Sequence, residues 1–112
     1  MAAKFVLKVA KDGQYYFNLK AGNGETTLTS EMYQAKAGAL NGIESVKKNS
    51  PDESRFEKLV SSNGKPYFVL KAANHQVIGN SEMYNSEAAR DNGIEAVMRD
   101  GPVAAIEEVA SA

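Results

Sequence analysis

Residues 13–20 read GQYYFNLK, and residues 64–71 read GKPYFVLK. An offset of 51 lays residues 5–58 on residues 56–109 without a gap. Along it Ser30-Glu31-Met32-Tyr33 returns as Ser81-Glu82-Met83-Tyr84, and Asn41-Gly42-Ile43-Glu44 returns as Asn92-Gly93-Ile94-Glu95. Matches in blocks at one fixed spacing mark a duplicated supersecondary unit, so the chain is two copies of one unit fused head to tail. One such unit alone buries too little apolar surface to be comfortably stable. Residues 1–112 are therefore expected to form a single compact domain of two repeats, 4–54 and 55–109.

Within one copy the hydrophobic period changes once. Phe5, Leu7 and Val9 alternate with Val6, Lys8 and Ala10, the pattern of a strand. Asp12-Gly13 and its counterpart Asn63-Gly64 signal a hairpin turn. Tyr15 to Lys20 alternates again, Gly22-Asn23-Gly24 turns the chain, and Glu25 to Thr29 is a threonine-rich third strand. After this meander, residues 35–48 and 86–99 have helical composition. Ser86 suits an N-cap, whereas Ala35 at the equivalent position predicts a less sharply started first helix. Asn49-Ser50-Pro51 and Asp100-Gly101-Pro102 end the helices. Glu53 to Ser61 is then expected to serve both as last strand of copy one and as first strand of copy two. Pro102 to Val109 reads as a helix by propensity, but its counterpart reads as a strand, and the repeat argues for a short strand.

Gly42 and Gly93 fall inside the helices, where each costs about 1 kcal/mol relative to alanine. Gly38 and Ala89 stand four residues earlier, and Ile43, Val46, Ile94 and Val97 flank the same stripe. This points to close packing of the helix on the sheet, with Gly42, Gly93, Ile43 and Ile94 as structural residues.

The chain has 43% hydrophobic and 24% charged residues, which places it among globular rather than disordered proteins. A formal charge of −1 supplies no bulk attraction for nucleic acid or anionic membranes. The absence of cysteine excludes disulfides, thiolate metal sites and a cysteine nucleophile. No run approaches the ~18 apolar residues of a membrane helix, and Lys4 and Lys8 interrupt the stretch where a signal peptide would be apolar. A cytoplasmic monomer with internal pseudo-two-fold symmetry, without metal or cofactor, is the expectation.

Ser-Glu-Met-Tyr, present twice, brings together a serine, a carboxylate and a phenol. No histidine or cysteine accompanies it to activate the serine, so the serine and glutamate are expected to satisfy backbone groups while methionine and tyrosine pack beneath. His75, the one histidine, occupies a turn position and is expected to face solvent. The alternation that sends Phe17, Leu19, Phe68 and Leu70 toward the helices sends Tyr16, Lys20, Tyr67 and Lys71 to the opposite face, with Lys8 and Val6. Tyrosines beside lysines on an open sheet form a candidate binding face.

Gly-x-x-Tyr-Phe-x-Leu-Lys, Ser-Glu-x-Tyr and Asn-Gly-Ile together resemble the YegP-like family of small bacterial proteins, and the resemblance covers residues 4–109. It implies an α+β fold of two tandem βββαβ repeats. Their strands would form a single antiparallel sheet with exchanged C-terminal strands, an intramolecular pseudo-dimer with two helices on one face. It carries over no catalytic or binding residues. The expected function is non-catalytic: a binding or regulatory module for a protein partner, with stress as its setting. The alternative is single-stranded nucleic-acid or small-ligand binding by Tyr16, Lys20, Tyr67, Lys71 and Lys8, with nucleic acid disfavoured by the charge.

Overall fold

A computed structural model describes residues 2–109. Copy one contributes strands β1 (Lys4–Val9), β2 (Tyr15–Lys20) and β3 (Thr26–Ser30), then helix α1 (Lys36–Asn49). A short 3₁₀ helix, Glu53–Arg55, leads into β4 (Phe56–Val60), β5 (Pro66–Lys71) and β6 (Val77–Asn80). Helix α2 (Glu87–Asp100) and β7 (Ala105–Glu108) complete the described chain.

The four hairpins share one local solution. In the first, Gly13 N–H donates to the Ala10 carbonyl at 3.0 Å and Ala10 N–H to the Gln14 carbonyl at 2.8 Å. The turn's last residue is left-handed in every case: Gly13, Gly24 and Gly64 at φ 84°, 86° and 85°, and His75 at φ 70°. These are three-residue loops closed by a residue whose positive φ favours glycine, which is why Asp-Gly and Asn-Gly recur. His75 is exposed and holds this position without being glycine.

All seven strands join one sheet in the order β4-β5-β6-β3-β2-β1-β7. Copy one supplies one half and copy two the other, and they meet where β3 pairs antiparallel with β6, Thr29 opposite Asn80. One face carries Phe5, Leu7, Phe17, Leu19, Leu28, Phe68, Leu70 and Ile78, packed with Ala39, Ile43 and Val46 of α1 and Ile94 and Val97 of α2 in one core. Each helix also reaches the other copy's strands, α1 touching β5 and β6 and α2 touching β3. The two repeats thus share an apolar core that neither could complete alone.

The last strands depart from the expectation of a wholly antiparallel, reciprocally exchanged sheet. β7 of copy two crosses to copy one and pairs parallel with β1, Phe5 opposite Ile106, so the sheet is mixed. The reciprocal strand does not form. Of the counterpart residues 54–57, Ser54 and Arg55 lie in the 3₁₀ helix, started by Asp52, whose carboxylate accepts the Ser54 N–H at 3.0 Å, and Phe56 and Glu57 already belong to β4. The reason is connectivity. Parallel neighbours require a crossover of a dozen or more residues, so a segment leading directly into β4 cannot also lie parallel beside it. The dual-strand reading of Glu53 to Ser61 is corrected accordingly, whereas the strand reading of the final segment agrees with β7.

Two pairs of equivalent positions touch each other across the pseudo-two-fold axis. A Cβ on Gly79 would stand 2.8 Å from Cγ of Leu28, its counterpart. A Cβ on Gly101 would stand 2.9 Å from Cβ of Ser50, likewise its counterpart. In each pair one copy has kept the side chain and the other has glycine.

Candidate functional site

The helix-free face follows from strand parity. β1 places Lys4, Val6 and Lys8 there, β2 places Tyr16, Asn18 and Lys20, and β5 places Tyr67, Val69 and Lys71. The register brings Lys8 opposite Tyr16, with its Nζ 5.9 Å from the ring centroid, a cation–π contact. Lys4 lies opposite Lys20, and Lys4 is neutralised by Glu107 of β7 at 2.5 Å. Lys71 pairs with Glu57 of β4, also at 2.5 Å.

The five candidate residues do not form one cluster. β6 and β3 lie between β5 and β2, a separation of three strand spacings, about 14 Å. The strands β2 and β5 run in opposite directions, so Tyr16 shares an end of the face with Lys71, and Tyr67 with Lys20. Between them a row of directly opposed residues crosses the sheet: Asn18, Thr29, Asn80 and Val69. Asn18 Nδ2 donates to Thr29 Oγ1 at 2.9 Å. Sequence reasoning missed this amide and hydroxyl row, although the parity of Asn18 between Tyr16 and Lys20 was a signal. The centre is recessed, with Asn18 at 7% and Val69 at 8% exposure, beneath half-buried tyrosines and lysine stems.

The Ser-Glu-Met-Tyr segments sit behind the other face. Ser30 Oγ accepts the Phe17 N–H at 2.9 Å and donates to the Glu31 carbonyl at 2.8 Å. Ser81 repeats this with Phe68 at 3.0 Å and Glu82 at 2.8 Å. Both hydroxyls are therefore committed to closing the chain beyond β3 and β6. Tyr33 stacks on Phe17 and Tyr84 on Phe68, ring planes 10° apart in both. Each ring roofs the glycine of its helix: a Cβ on Gly42 would lie 2.8 Å from Tyr33 Cζ and 3.1 Å from Phe17 Cε2, and Gly93 meets Tyr84 and Phe68 in the same way. Gly42, Gly93, Ile43 and Ile94 are all buried. The expectation that methionine packs beneath is corrected, because Met32 and Met83 stand on the outward side of these segments at 47% and 49% exposure.

Burial raises the Tyr33 phenol above its usual range, and the Glu31 carboxylate raises it further. Burial likewise raises Tyr84, with Glu82 and Glu25 adding to it. Both phenols are thereby harder to ionise than an exposed tyrosine. Among the described residues no group of three His, Cys, Asp or Glu is placed to hold a metal ion.

The family described as "Domain of unknown function (DUF1508)" matches this chain twice, at residues 10–57 and 61–108. The chain belongs to that family. A UPF0339 protein of Acinetobacter baylyi is 59% identical to it over 109 residues, covering 97% of this chain and 98% of that protein. YegP of Yersinia pestis is 59% identical over 97 residues, 87% of each chain. The solution NMR structure of YegP from E. coli superposes with a TM-score of 0.93 at 50% identity, covering 100% of this chain and 97% of that one. A UPF0339 protein of Shewanella oneidensis, also solved by solution NMR, gives 0.91 at 55% identity over 98% and 93% of the two chains. The YegP-like resemblance and the α+β repeat fold are thus shown.

Proposed function

We propose that this DUF1508 chain is a non-catalytic binding module whose helix-free sheet face takes an acidic segment of a protein partner. The observation that carries the reading is charge segregation on that face. Its strands present Lys4, Lys8, Lys20 and Lys71 against Glu57 and Glu107, while the whole chain has a formal charge of −1. Lys4 and Lys71 are paired with those two glutamates, which leaves Lys8 and Lys20 to meet a partner's carboxylates. Asn18 lies between the levels of these two lysines, and Thr29 and Asn80 continue the polar row toward the second copy.

The alternative, single-stranded nucleic acid stacked on Tyr16 and Tyr67, is weaker. The two rings lie at opposite ends of the face and about 14 Å or more apart, too far for neighbouring bases. The test is affinity capture from native bacterial lysate, unstressed and stressed, with and without nuclease. A Lys8→Glu/Lys20→Glu variant, first shown to keep the wild-type melting temperature, is the control. Nuclease-resistant partners lost in the variant support the reading. Partners retained unchanged by the variant sink it, and capture that needs intact nucleic acid and is lost in Tyr16→Ala/Tyr67→Ala favours the alternative.

A further inference from the structure

The two ends of the sheet are equivalent by the repeat but differ in what covers them. At one end β7 lies on β1; at the other, β4 has β5 as its one neighbour among the described residues. The outward polar groups of β4 can be assigned. Ser61 N–H donates to Lys65, so Ser61, Leu59 and Glu57 face β5, while Phe56, Lys58 and Val60 turn their N–H and C=O groups outward. The counterpart of Lys58 is Leu7, whose carbonyl accepts the Val109 N–H at 2.8 Å beside β7. Phe56 N–H is taken by Glu53, which leaves Phe56 C=O and both groups of Lys58 and of Val60. Beside this edge a groove of about 660 Å³ runs against α2, lined by Lys58, Asp91, Ile94, Glu95 and Met98. The cover matters to burial: Phe5 beneath β7 is fully buried, and its counterpart Phe56 is not.

We infer that β4 accepts an extended segment of a partner protein, running parallel to it as β7 runs beside β1, with an aliphatic residue in the groove and a basic residue two positions later. The chain itself supplies the template. In β7, Ile106 pairs with Phe5 on the helix side, and Glu108, two residues on, reaches Lys36 at the start of α1 at 2.5 Å. Transferred to β4, the aliphatic position pairs with Phe56 over Ile94 and Met98. The second position pairs with Lys58 and meets the counterpart of Lys36, which is Glu87. Lys58 is already matched by Asp91 at 3.3 Å, so the exposed Glu87 decides the preferred charge. This inversion also disfavours the chain's own acidic β7 at this edge, and with the charged Glu57 and Lys58 it limits self-association. Strand addition of this kind takes its affinity from the main chain and its specificity from alternate side chains.

The test is an NMR titration of the full, isotope-labelled chain with two synthetic peptides, AAIEEV, which copies residues 104–109, and its charge-switched form AAIEKV. The switched peptide is expected to shift the Lys58 and Val60 amides and to bind at least tenfold more tightly. Glu87→Lys should reverse that preference. Lys58→Pro removes an outward N–H without touching the β4–β5 ladder, so it should keep the fold by circular dichroism and abolish binding. Equal affinity for both peptides, shifts confined to the helix-free face, binding that survives Lys58→Pro, or dimerisation of the chain through β4 would each overturn the inference.

Discussion

At the scale of single residues, the helix glycines show how steric detail decides sign. Both Gly38 and Gly42 face Tyr33, but at different depths. A Cβ at position 38 would meet Tyr33 Cδ1 at 3.3 Å, and the second copy carries a Cβ at that place in Ala89. At position 42 the Cβ would run into the Tyr33 hydroxyl and lie 2.8 Å from Cζ, in a ring already stacked on Phe17. Helix propensity favours alanine at both by up to about 1 kcal/mol, whereas overpacking costs about 1–3 kcal/mol. Gly38→Ala should therefore raise the melting temperature, and Gly42→Ala should lower it by several degrees. Equal shifts for the two would show that Tyr33 yields freely. The sequence pointed to packing for Gly42 and Gly93 but to the sheet as the surface they approach. That the roof is a tyrosine from the adjoining Ser-Glu-Met-Tyr segment depends on how the chain beyond β3 folds back, which local spacing does not encode.

At the scale of elements, the two helices form a natural comparison of capping. Ser86 accepts the Ala89 N–H at 3.1 Å, and Glu87 follows in the first turn. Ala35 has the same extended backbone, φ −130° and ψ 149°, but offers no side-chain acceptor. Ala35→Ser should thus stabilise the chain by about 1 kcal/mol, and Ser86→Ala should destabilise it by a similar amount. Urea denaturation of both variants checks this, and an unchanged midpoint for Ala35→Ser would mean that the first turn of α1 is limited by something other than its orphan donors. Hairpins, strands and helices were legible because alternation, Asp-Gly or Asn-Gly turns and capping residues are local signals that the second copy repeats. The segment from Pro51 to Phe56 was not. Its fate is set by chain connectivity, which forbids it from being a parallel neighbour of the strand it enters. The candidate face was legible to the same degree. Parity put Tyr16, Lys20, Tyr67, Lys71 and Lys8 on one side, but strand order, a non-local fact, separates them and puts Asn18, Thr29 and Asn80 at the centre.

At the scale of the whole molecule, fusion has let the two halves diverge into a complementary pair. On a true two-fold axis each residue faces its own copy, so a large side chain there collides with itself. Here Leu28 is fully buried and fills the space left by Gly79, and Ser50 does the same beside Gly101. Complementarity of this kind predicts strong coupling between Leu28 and Gly79. Gly79→Leu alone should overpack the β3–β6 junction, and Leu28→Gly alone should leave a cavity, each at a cost of about 2 kcal/mol or more. The double variant Leu28→Gly/Gly79→Leu restores one large and one small residue at the axis. It should recover more than half of the summed loss, which a double-mutant cycle in denaturant would read directly. A simple sum of the two penalties would instead mean that the junction is shaped by each copy's own surroundings, with the axis playing no part. Recovery would show that the asymmetry is interchangeable in hand, and that what folding demands is one side chain for the two equivalent places.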